Sequence, residues 1–238
     1  MKKQAISVLF ATVAMGIASA QAAELVVNGS FETGDFSGWT TSVANNSNGS
    51  LVVTNGPTAP DSGAPLPGAT DGAFQAVTGQ SGPGTYSLTQ TVALPTGITS
   101  AILSFDFFAN TDVGLIDNGT LDHTGTPNQH ARVDILVAGA DPFSTNPGDI
   151  LASIVAPTVT GALFNGPGGY SSFSVDVSGV LSGLTSVVLR FGQTDNQGFF
   201  TMGVDNVSLD VNAGEVPVPA AALLFAPLAA GFIARRRK

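Results

Sequence analysis

Short apolar runs that alternate with polar residues fill the middle of this chain. In TYSLTQTV, for example, Tyr86 and Leu88 alternate with Ser87 and Thr89. Similar runs are ELVV, SLVVT, AILSFDFFA, ARVDILVA, YSSFSVDV, TSVVLRF and VDNVSLDV. Period-two alternation is typical of strands with one buried face, and Gly, Pro, Asn and Asp separate the runs. With no helical periodicity between the two ends, the pattern predicts an all-β fold of about nine or ten strands, an antiparallel β-sandwich or barrel.

Two long polar segments interrupt the strand pattern. Residues 55–72 are rich in Pro and Gly, and residues 111–130 are rich in Asp, Asn and Thr and contain both histidines of the chain. Loops of this length in a compact domain are usually functional or disordered. We therefore expect each segment either to form part of a site or to lack regular structure.

The amino-terminal end has the order of a secretory signal peptide. Lys2 and Lys3 precede an apolar run over residues 5–20, and small residues follow. This charged, apolar, small-residue order predicts a signal peptide over residues 1–22, cleaved after Ala22 by signal peptidase after passage through the general secretion machinery. An uncleaved membrane anchor is the alternative.

The carboxy-terminal end, residues 213–238, differs sharply from the body over residues 23–212. Residues 216–234 are 19 uncharged positions; as a helix they span roughly 28 Å, close to the ~30 Å hydrocarbon core of a bilayer. Four cations close the chain: Arg235, Arg236, Arg237 and Lys238. Under the positive-inside tendency they form a cytoplasmic anchor. Pro227 weakens a helix at this place, because it removes a backbone donor.

This tail resembles the PEP-CTERM sorting signal of Gram-negative bacteria, in its VPLPA-type variant. The motif positions are Val216, Pro217, Val218 and Pro219, followed by a transmembrane segment over residues 220–234 and the basic end. The resemblance implies recognition by a membrane exosortase, transient residence in the inner membrane, and export to the cell surface or extracellular matrix. Val218 departs from the commonest form, which has glutamate between the prolines. A plain carboxy-terminal anchor is the alternative.

Charge and cysteine usage exclude several kinds of chemistry. The chain has 17 acidic and eight basic residues and a net charge of −9. All the acidic residues lie in residues 24–215, which contain only two cations, Arg132 and Arg190. A body this acidic repels polyanions, so we expect no nucleic-acid partner. Since the chain has no cysteine, disulfides and thiolate chemistry are excluded.

The body resembles carbohydrate-binding modules and related galactose-binding-like jelly rolls in two short motifs. These are NGSFETGDFSGW near the mature start and GVDNVSLDV near the end of the body. The resemblance implies that the first and last strands lie together and flank a structural calcium ion. Glu32 and Asp205 are then ligands, joined by Asp71 and the carbonyl of Phe74. Calcium prefers six to eight oxygen ligands, which carboxylates and carbonyls provide. Alternatively, Glu32 and Asp71 are solvated turn residues and Asp205 caps a strand.

Three further groups of residues are candidates for a particular contact or site. Arg190 lies on an apolar strand and needs an acidic partner, for which Asp134 is one candidate. Trp39 and the pair Phe199 and Phe200 either pack in the core, which we favour, or form a platform for sugar stacking. Finally, the two histidines and three aspartates of the 111–130 segment allow a transition-metal site, although loop residues are poorly preorganised: His123, His130, Asp112, Asp117 and Asp122.

Sequence motifs of catalysis are missing. The nearest approach to G-x-S-x-G is GQSGP at residues 79–83, which fails at its last position. We therefore expect a noncatalytic, exported surface or matrix protein that binds extracellular polysaccharide. Two alternatives stay open: a structural or adhesive matrix component without a sugar site, and a secreted glycoside hydrolase that uses a pair of carboxylates.

Overall fold

The structure, a computed structural model, describes residues 22–156 and 169–214. Apart from residues 22, 213 and 214, the predicted signal peptide and sorting tail lie outside these residues. Within the described ranges no helix is long and apolar enough to cross a membrane. The described residues form eleven strands and one helical turn. The strands are β1 (Ala23–Glu24), β2 (Thr40–Val43), β3 (Gly49–Thr54), β4 (Gln75–Gln80), β5 (Gly84–Ala93), β6 (Ile98–Thr111), β7 (Gln129–Val137), β8 (Ile150–Val155), β9 (Ser171–Asp176), β10 (Ser186–Asp195) and β11 (Phe200–Ala213).

The strands pair antiparallel in two sheets. One sheet has the order β3-β4-β11-β6-β9, with β1 beside the end of β11, and the other has the order β2-β5-β10-β7-β8. From β4 to β11, the pairs β4·β11, β5·β10, β6·β9 and β7·β8 nest inside one another, as in a hairpin rolled around a barrel axis. This is the jelly-roll arrangement. The prediction of an antiparallel all-β sandwich is confirmed.

The chain ends of the body lie together, as the sequence predicted. Ala23 lies opposite Val211, and Glu24 lies opposite Asp210. The Glu24 carboxylate also accepts the backbone N–H of Leu209 at 3.0 Å. These contacts join the first strand to the last one.

One helical turn departs from the expectation of a helix-free body. The turn α1 (Ser178–Leu181) connects β9 to β10. The Asp176 carboxylate accepts the Ser178 N–H at 2.9 Å, and Leu181 is fully buried under the turn. A four-residue helix buries one side chain, which is too short a pattern for periodicity to detect.

The inward faces of the two sheets form one aromatic and aliphatic core. Trp39 packs against Phe31 and Phe191 with ring centroids 5.6 and 6.0 Å apart, and Phe191 meets Phe105 edge-on at 5.4 Å. Since Trp39 is only 7% exposed and donates its indole N–H to Asn28 O at 3.0 Å, its interpretation as a core residue is confirmed.

A buried ionic cluster stands on the outward face of the second sheet. Arg190 on β10 lies directly opposite Asp134 on β7 and contacts Asp134 Oδ2 at 2.6 Å through Nη2. Arg132 forms a two-pronged contact with the same carboxylate, Nε to Oδ2 at 2.7 Å and Nη2 to Oδ1 at 2.9 Å. The predicted pairing of Arg190 with Asp134 is confirmed. Because one carboxylate holds two guanidinium groups, the cluster depends on Asp134.

We predict that Asp134→Ala lowers the free energy of unfolding by about 3–5 kcal/mol, because it leaves two buried cations unpaired. Urea unfolding monitored by the fluorescence of Trp39 measures this loss. The matched control is Asp210→Ala, an exposed position on β11, where the change stays within about 0.5 kcal/mol. Similar losses for both variants would show that the cluster contributes little.

Candidate functional site

A cleft of about 270 Å³ lies on the outward face of the β2-β5-β10-β7-β8 sheet. Strand alternation builds its floor, because Leu88 and Val92 of β5 face the core and the residues between them face outward. Thr40 of β2 lies opposite Thr89 of β5 in the strand register. The lining residues are Thr40, Ser42, Thr89, Thr91, Gly139, Ala140, Pro142 and Val188.

The hydroxyl groups of this cleft are largely unused by the protein. Thr89 Oγ1 makes a long contact of 3.4 Å to the carbonyl of Thr40. Within residues 22–156 and 169–214, the hydroxyls of Thr40, Ser42 and Thr91 form no hydrogen bond to another group. A hydroxyl both donates and accepts, so the floor can satisfy a polar ligand of either kind.

The ionic cluster positions one wall of the cleft. Arg190 Nη1 donates to the carbonyls of Ser144 at 2.5 Å and Pro142 at 3.3 Å. Ser144 Oγ in turn donates to the Asp149 carboxylate at 2.5 Å, and Val137 N donates to Asp149 O at 2.9 Å. The turn between β7 and β8 is thus held against the sheet, so the wall is preorganised.

No aromatic side chain is among the residues that line the cleft; Phe143, next to Pro142 in the β7–β8 turn, is half-buried and is not one of them. Phe200, one candidate for a stacking platform, is fully buried, which confirms its interpretation as core. Phe199 is half-buried at the β10–β11 turn, where its N–H donates to Asp112 at 2.8 Å. Recognition in the cleft therefore relies on hydrogen bonds.

A second concavity, the end pocket, lies where β5 begins and β10 ends. It has a volume of about 220 Å³ and is lined by Gly82, Pro83, Asp195, Asn196, Gln197 and Gly198. Thr89 lies five positions after Gly84 on β5, so the end pocket lies about 17 Å from the cleft along the strand.

Asp195 is the ionisable group of the end pocket. The residue is only 1% exposed, and its Oδ1 accepts a long hydrogen bond of 3.4 Å from Gln197 N. Burial raises the pKa of Asp195 to about 6, and the nearby charge of Asp112 acts in the same direction. The sequence analysis did not select Asp195. The available signal was its position on β10, where alternation places this acid on the same inward face as Val187 and Leu189.

The 111–130 segment folds over the same sheet rather than forming a metal centre. Thr85 Oγ1 lies 3.1 Å from His123 Nδ1, and Asn128 Oδ1 lies 3.0 Å from His130 Nδ1. Burial lowers the pKa of His130, which favours the neutral imidazole. Among the described residues, no three His, Cys, Asp or Glu side chains are grouped to hold a metal. The hypothesis of a transition-metal site at the two histidines thus gains no support.

The predicted calcium ligands converge on one loop, residues 70–74. Glu32 Oε1 accepts the N–H groups of Ala73 at 2.8 Å and Phe74 at 2.7 Å. Asp205 Oδ2 accepts the N–H groups of Thr70 at 2.6 Å and Asp71 at 3.1 Å. Burial raises the pKa of Asp205, opposed by these hydrogen bonds.

These residues fit a calcium ion in part. Glu32 and Asp205 supply carboxylate oxygens from two distant parts of the chain to the same loop, as the prediction requires. Those oxygens already accept backbone N–H groups, and the third predicted ligand, Asp71, is an exposed residue. A calcium ion therefore needs further carbonyl oxygens from the loop, and the site stays a prediction.

One pair of carboxylates on adjacent strands, Asp106 and Asp205, is poorly placed to catalyse glycoside hydrolysis. Asp106 on β6 lies directly opposite Asp205 on β11. Asp106 accepts hydrogen bonds from Ser172 at 2.5 Å and Asn206 at 3.2 Å, and the two aspartates are 6% and 0% exposed. Unlike Asp195, neither aspartate lines the cleft or the end pocket, so neither concavity gives a polysaccharide access to this pair.

Comparison with known proteins finds a similarity of fold only. No family model matches the sequence, and no curated protein does. A cyclase from Fischerella sp. TAU, solved with 4-(1H-indol-3-yl)butan-2-one, matches with a TM-score of 0.50 and 16% identity over 82% of this chain and 100% of the cyclase. This likeness shows the fold alone.

Two carbohydrate-binding modules match less closely. TmCBM61, solved with β-1,4-galactotriose, has a TM-score of 0.47 and 16% identity over 79% of this chain and 97% of its own. The CBM22-1 xylan-binding domain of Paenibacillus barcinonensis Xyn10C has a TM-score of 0.44 and 13% identity over 83% of this chain and 100% of its own. The fold class itself, an antiparallel jelly-roll sandwich, follows from the strand order described above.

We predict that calcium raises the melting temperature of the wild-type protein relative to a chelator, since an ion that binds the folded state stabilises it by about 2.7 kcal/mol at 100 times its dissociation constant. Glu32→Gln keeps an acceptor for the Ala73 and Phe74 N–H groups but lowers the charge. It should lose the calcium response and keep most of its stability in chelator, whereas Glu32→Ala loses stability in both. Identical wild-type melting curves with calcium and with chelator would exclude the ion.

Proposed function

We propose that this protein is an exported, noncatalytic surface or extracellular-matrix protein whose sandwich binds polysaccharide in the cleft. The observation that carries the proposal is the row of hydroxyls at Thr40, Ser42 and Thr91, which face solvent on a rigid sheet and form no hydrogen bond within the described residues. Sugar hydroxyls are their natural partners, because both groups donate and accept.

The energetics favour modest affinity. A net hydrogen bond contributes about 0.5–1.5 kcal/mol, and the described cleft offers only a few hydroxyls and no stacking surface. A single site of this kind binds weakly. Many copies along one polysaccharide chain raise the overall avidity, since each later contact is intramolecular. This suits a matrix component better than a high-affinity receptor.

The charge distribution favours an uncharged polysaccharide. Arg132 and Arg190 are the cations of the body, and both are bound to Asp134 beneath the cleft. Neither guanidinium is available for the carboxylate or sulfate group of an acidic glycan. With 17 acidic residues in the chain, an anionic polymer is repelled.

The export route rests on the sequence of the two ends. The signal peptide over residues 1–22 directs the chain to the secretion machinery and signal peptidase. The tail over residues 213–238 holds the processing intermediate in the inner membrane until an exosortase acts at the motif of residues 216–219. The acidic body then resides at the surface or in the matrix of a Gram-negative cell. A structural calcium ion at Glu32 and Asp205 accords with that exterior location, where calcium is abundant.

One observation favours the second candidate, a structural or adhesive component without a sugar site. Aromatic platforms dominate the energetics of many interfaces, and the described cleft has none.

We predict that the body, residues 23–214, is retarded in affinity gels that contain neutral polysaccharides and migrates normally in gels with acidic ones. Every described strand lies in this range. The double substitution Ser42→Ala and Thr91→Val should weaken retardation about tenfold, as expected for the loss of two hydrogen bonds of ~0.7 kcal/mol each. Thr41→Val, on the same strand but the other face, should bind like the wild type. Absence of retardation by any neutral polysaccharide would favour the structural candidate.

We predict that replacing Pro217 and Pro219 with alanine makes a full-length, membrane-retained form accumulate, because the processing motif is lost while the apolar segment is kept. Immunoblots of membrane and secreted fractions with an antibody against the body measure this. Pro227→Ala, inside the apolar segment, is the control and should be processed. Unchanged processing of the double variant would exclude the sorting role of the motif.

A further inference from the structure

The end pocket has a chemistry that differs from that of the cleft, and its polar groups are mainly acceptors. Asn196 is fully engaged: its Nδ2 donates to His123 O at 2.9 Å and Thr126 O at 3.0 Å, and its Oδ1 accepts Asn128 N at 2.8 Å. Gln197 Nε2 donates back to Asn196 at 2.9 Å. What these side chains leave for a ligand is Gln197 Oε1 and the carboxylate of Asp195.

The Asp195 carboxylate has no cation in the described structure. The ion pairs of the described residues involve Asp134 and Asp117, not Asp195. A buried carboxylate without a positive partner is costly. The adjacent charge of Asp112 raises that cost. A positive group in the pocket would relieve both effects.

A buried polar group next to the pocket wall also lacks a partner. Gln80 is 6% exposed and ends β4, two residues before Gly82. Its Oε1 accepts the N–H of Phe200 at 2.7 Å, but its Nε2 has no hydrogen-bond partner. Such groups are rare in folded proteins. Because the unpaired group is a donor and Gln80 does not line the end pocket, it is not a ligand of the amine site proposed below.

We propose that the end pocket binds a small ligand through a primary ammonium group, held by the Asp195 carboxylate and Gln197 Oε1. An ammonium group has three donors and no acceptor, which matches walls that offer acceptors and negative charge. The end pocket has a volume of about 220 Å³. It accommodates an amine with a few carbon atoms, such as one amino-sugar unit or a short alkylamine.

This site is separate from the polysaccharide cleft and does not depend on the proposed function. Its ligand is small and cationic, whereas the cleft takes an uncharged polymer. The net negative charge of the body increases the local concentration of cations around it. An amino sugar at the end of a glycan and a free amine share the required chemistry.

Isothermal titration of the full chain in detergent micelles at pH 7 tests the proposal. D-glucosamine and n-propylamine should each give saturable binding, and N-acetylglucosamine, which lacks the ammonium group, should give none. If glucosamine binds at least tenfold more tightly than propylamine, the ligand is an amino sugar; if the two bind equally, the ammonium group alone is recognised.

Asp195→Asn is the decisive variant, because it keeps the size of the side chain and removes the charge. It should weaken binding of both amines at least tenfold, and its melting curve shows that it is folded. Asp210→Asn makes the same charge change at an exposed position and should bind like the wild type. The proposal is overturned if Asp195→Asn binds like the wild type, if N-acetylglucosamine binds as well as glucosamine, or if neither amine binds.

Discussion

The Asp134 carboxylate is the interaction on which most other features of this body depend. It lies between Arg132 on its own strand and Arg190 on the next strand, and it satisfies both guanidinium groups. Two buried cations beside each other would otherwise repel and would lack solvent. The cluster also joins β7 to β10 on the outward face of the sheet, where no apolar core covers it. In a chain without cysteine, such a contact takes part of the role that a disulfide has in other proteins.

The same cluster determines the surface chemistry of the body. The Nη1 group of Arg190 donates to the carbonyls of Pro142 and Ser144, and these hydrogen bonds position one wall of the cleft. Because both arginines of the body are paired with Asp134, the exposed surface of the body is neutral or acidic. The cleft then favours uncharged ligands, and the end pocket at Asp195 favours cations. Two different selectivities thus follow from one arrangement of charge.

Much of the fold could be predicted from the sequence, because strand alternation is a local property. Tyr86 and Leu88 face inward and Ser87 and Thr89 outward, as their order along β5 indicates. The pairing of Arg190 with Asp134 was also predictable, since an arginine on an apolar strand needs an acid and few acids lie on apolar strands. Alternation alone left sandwich and barrel open, because strand order depends on contacts between distant segments; the resemblance to jelly rolls indicated the sandwich, and the strand order confirms it.

The sites were less predictable than the fold. The sequence selected Glu32, Asp71 and Asp205 by resemblance, and the tertiary structure brings the first and last to one loop while it leaves Asp71 exposed. The sequence also suggested a transition-metal site in the 111–130 segment. In the folded loop, however, His123 and His130 form hydrogen bonds with Thr85 and Asn128.

By itself, the sequence determined the all-β class and the acidic character of the body, because alternation, charge and composition can be read along the chain; its two terminal signals stay predictions. Only the tertiary structure decided that hydroxyls of β2 and β5 share one cleft and that Asp195 lines a pocket. The physical reason is that burial and proximity arise when segments far apart in the chain pack together, and neither quantity belongs to any single segment.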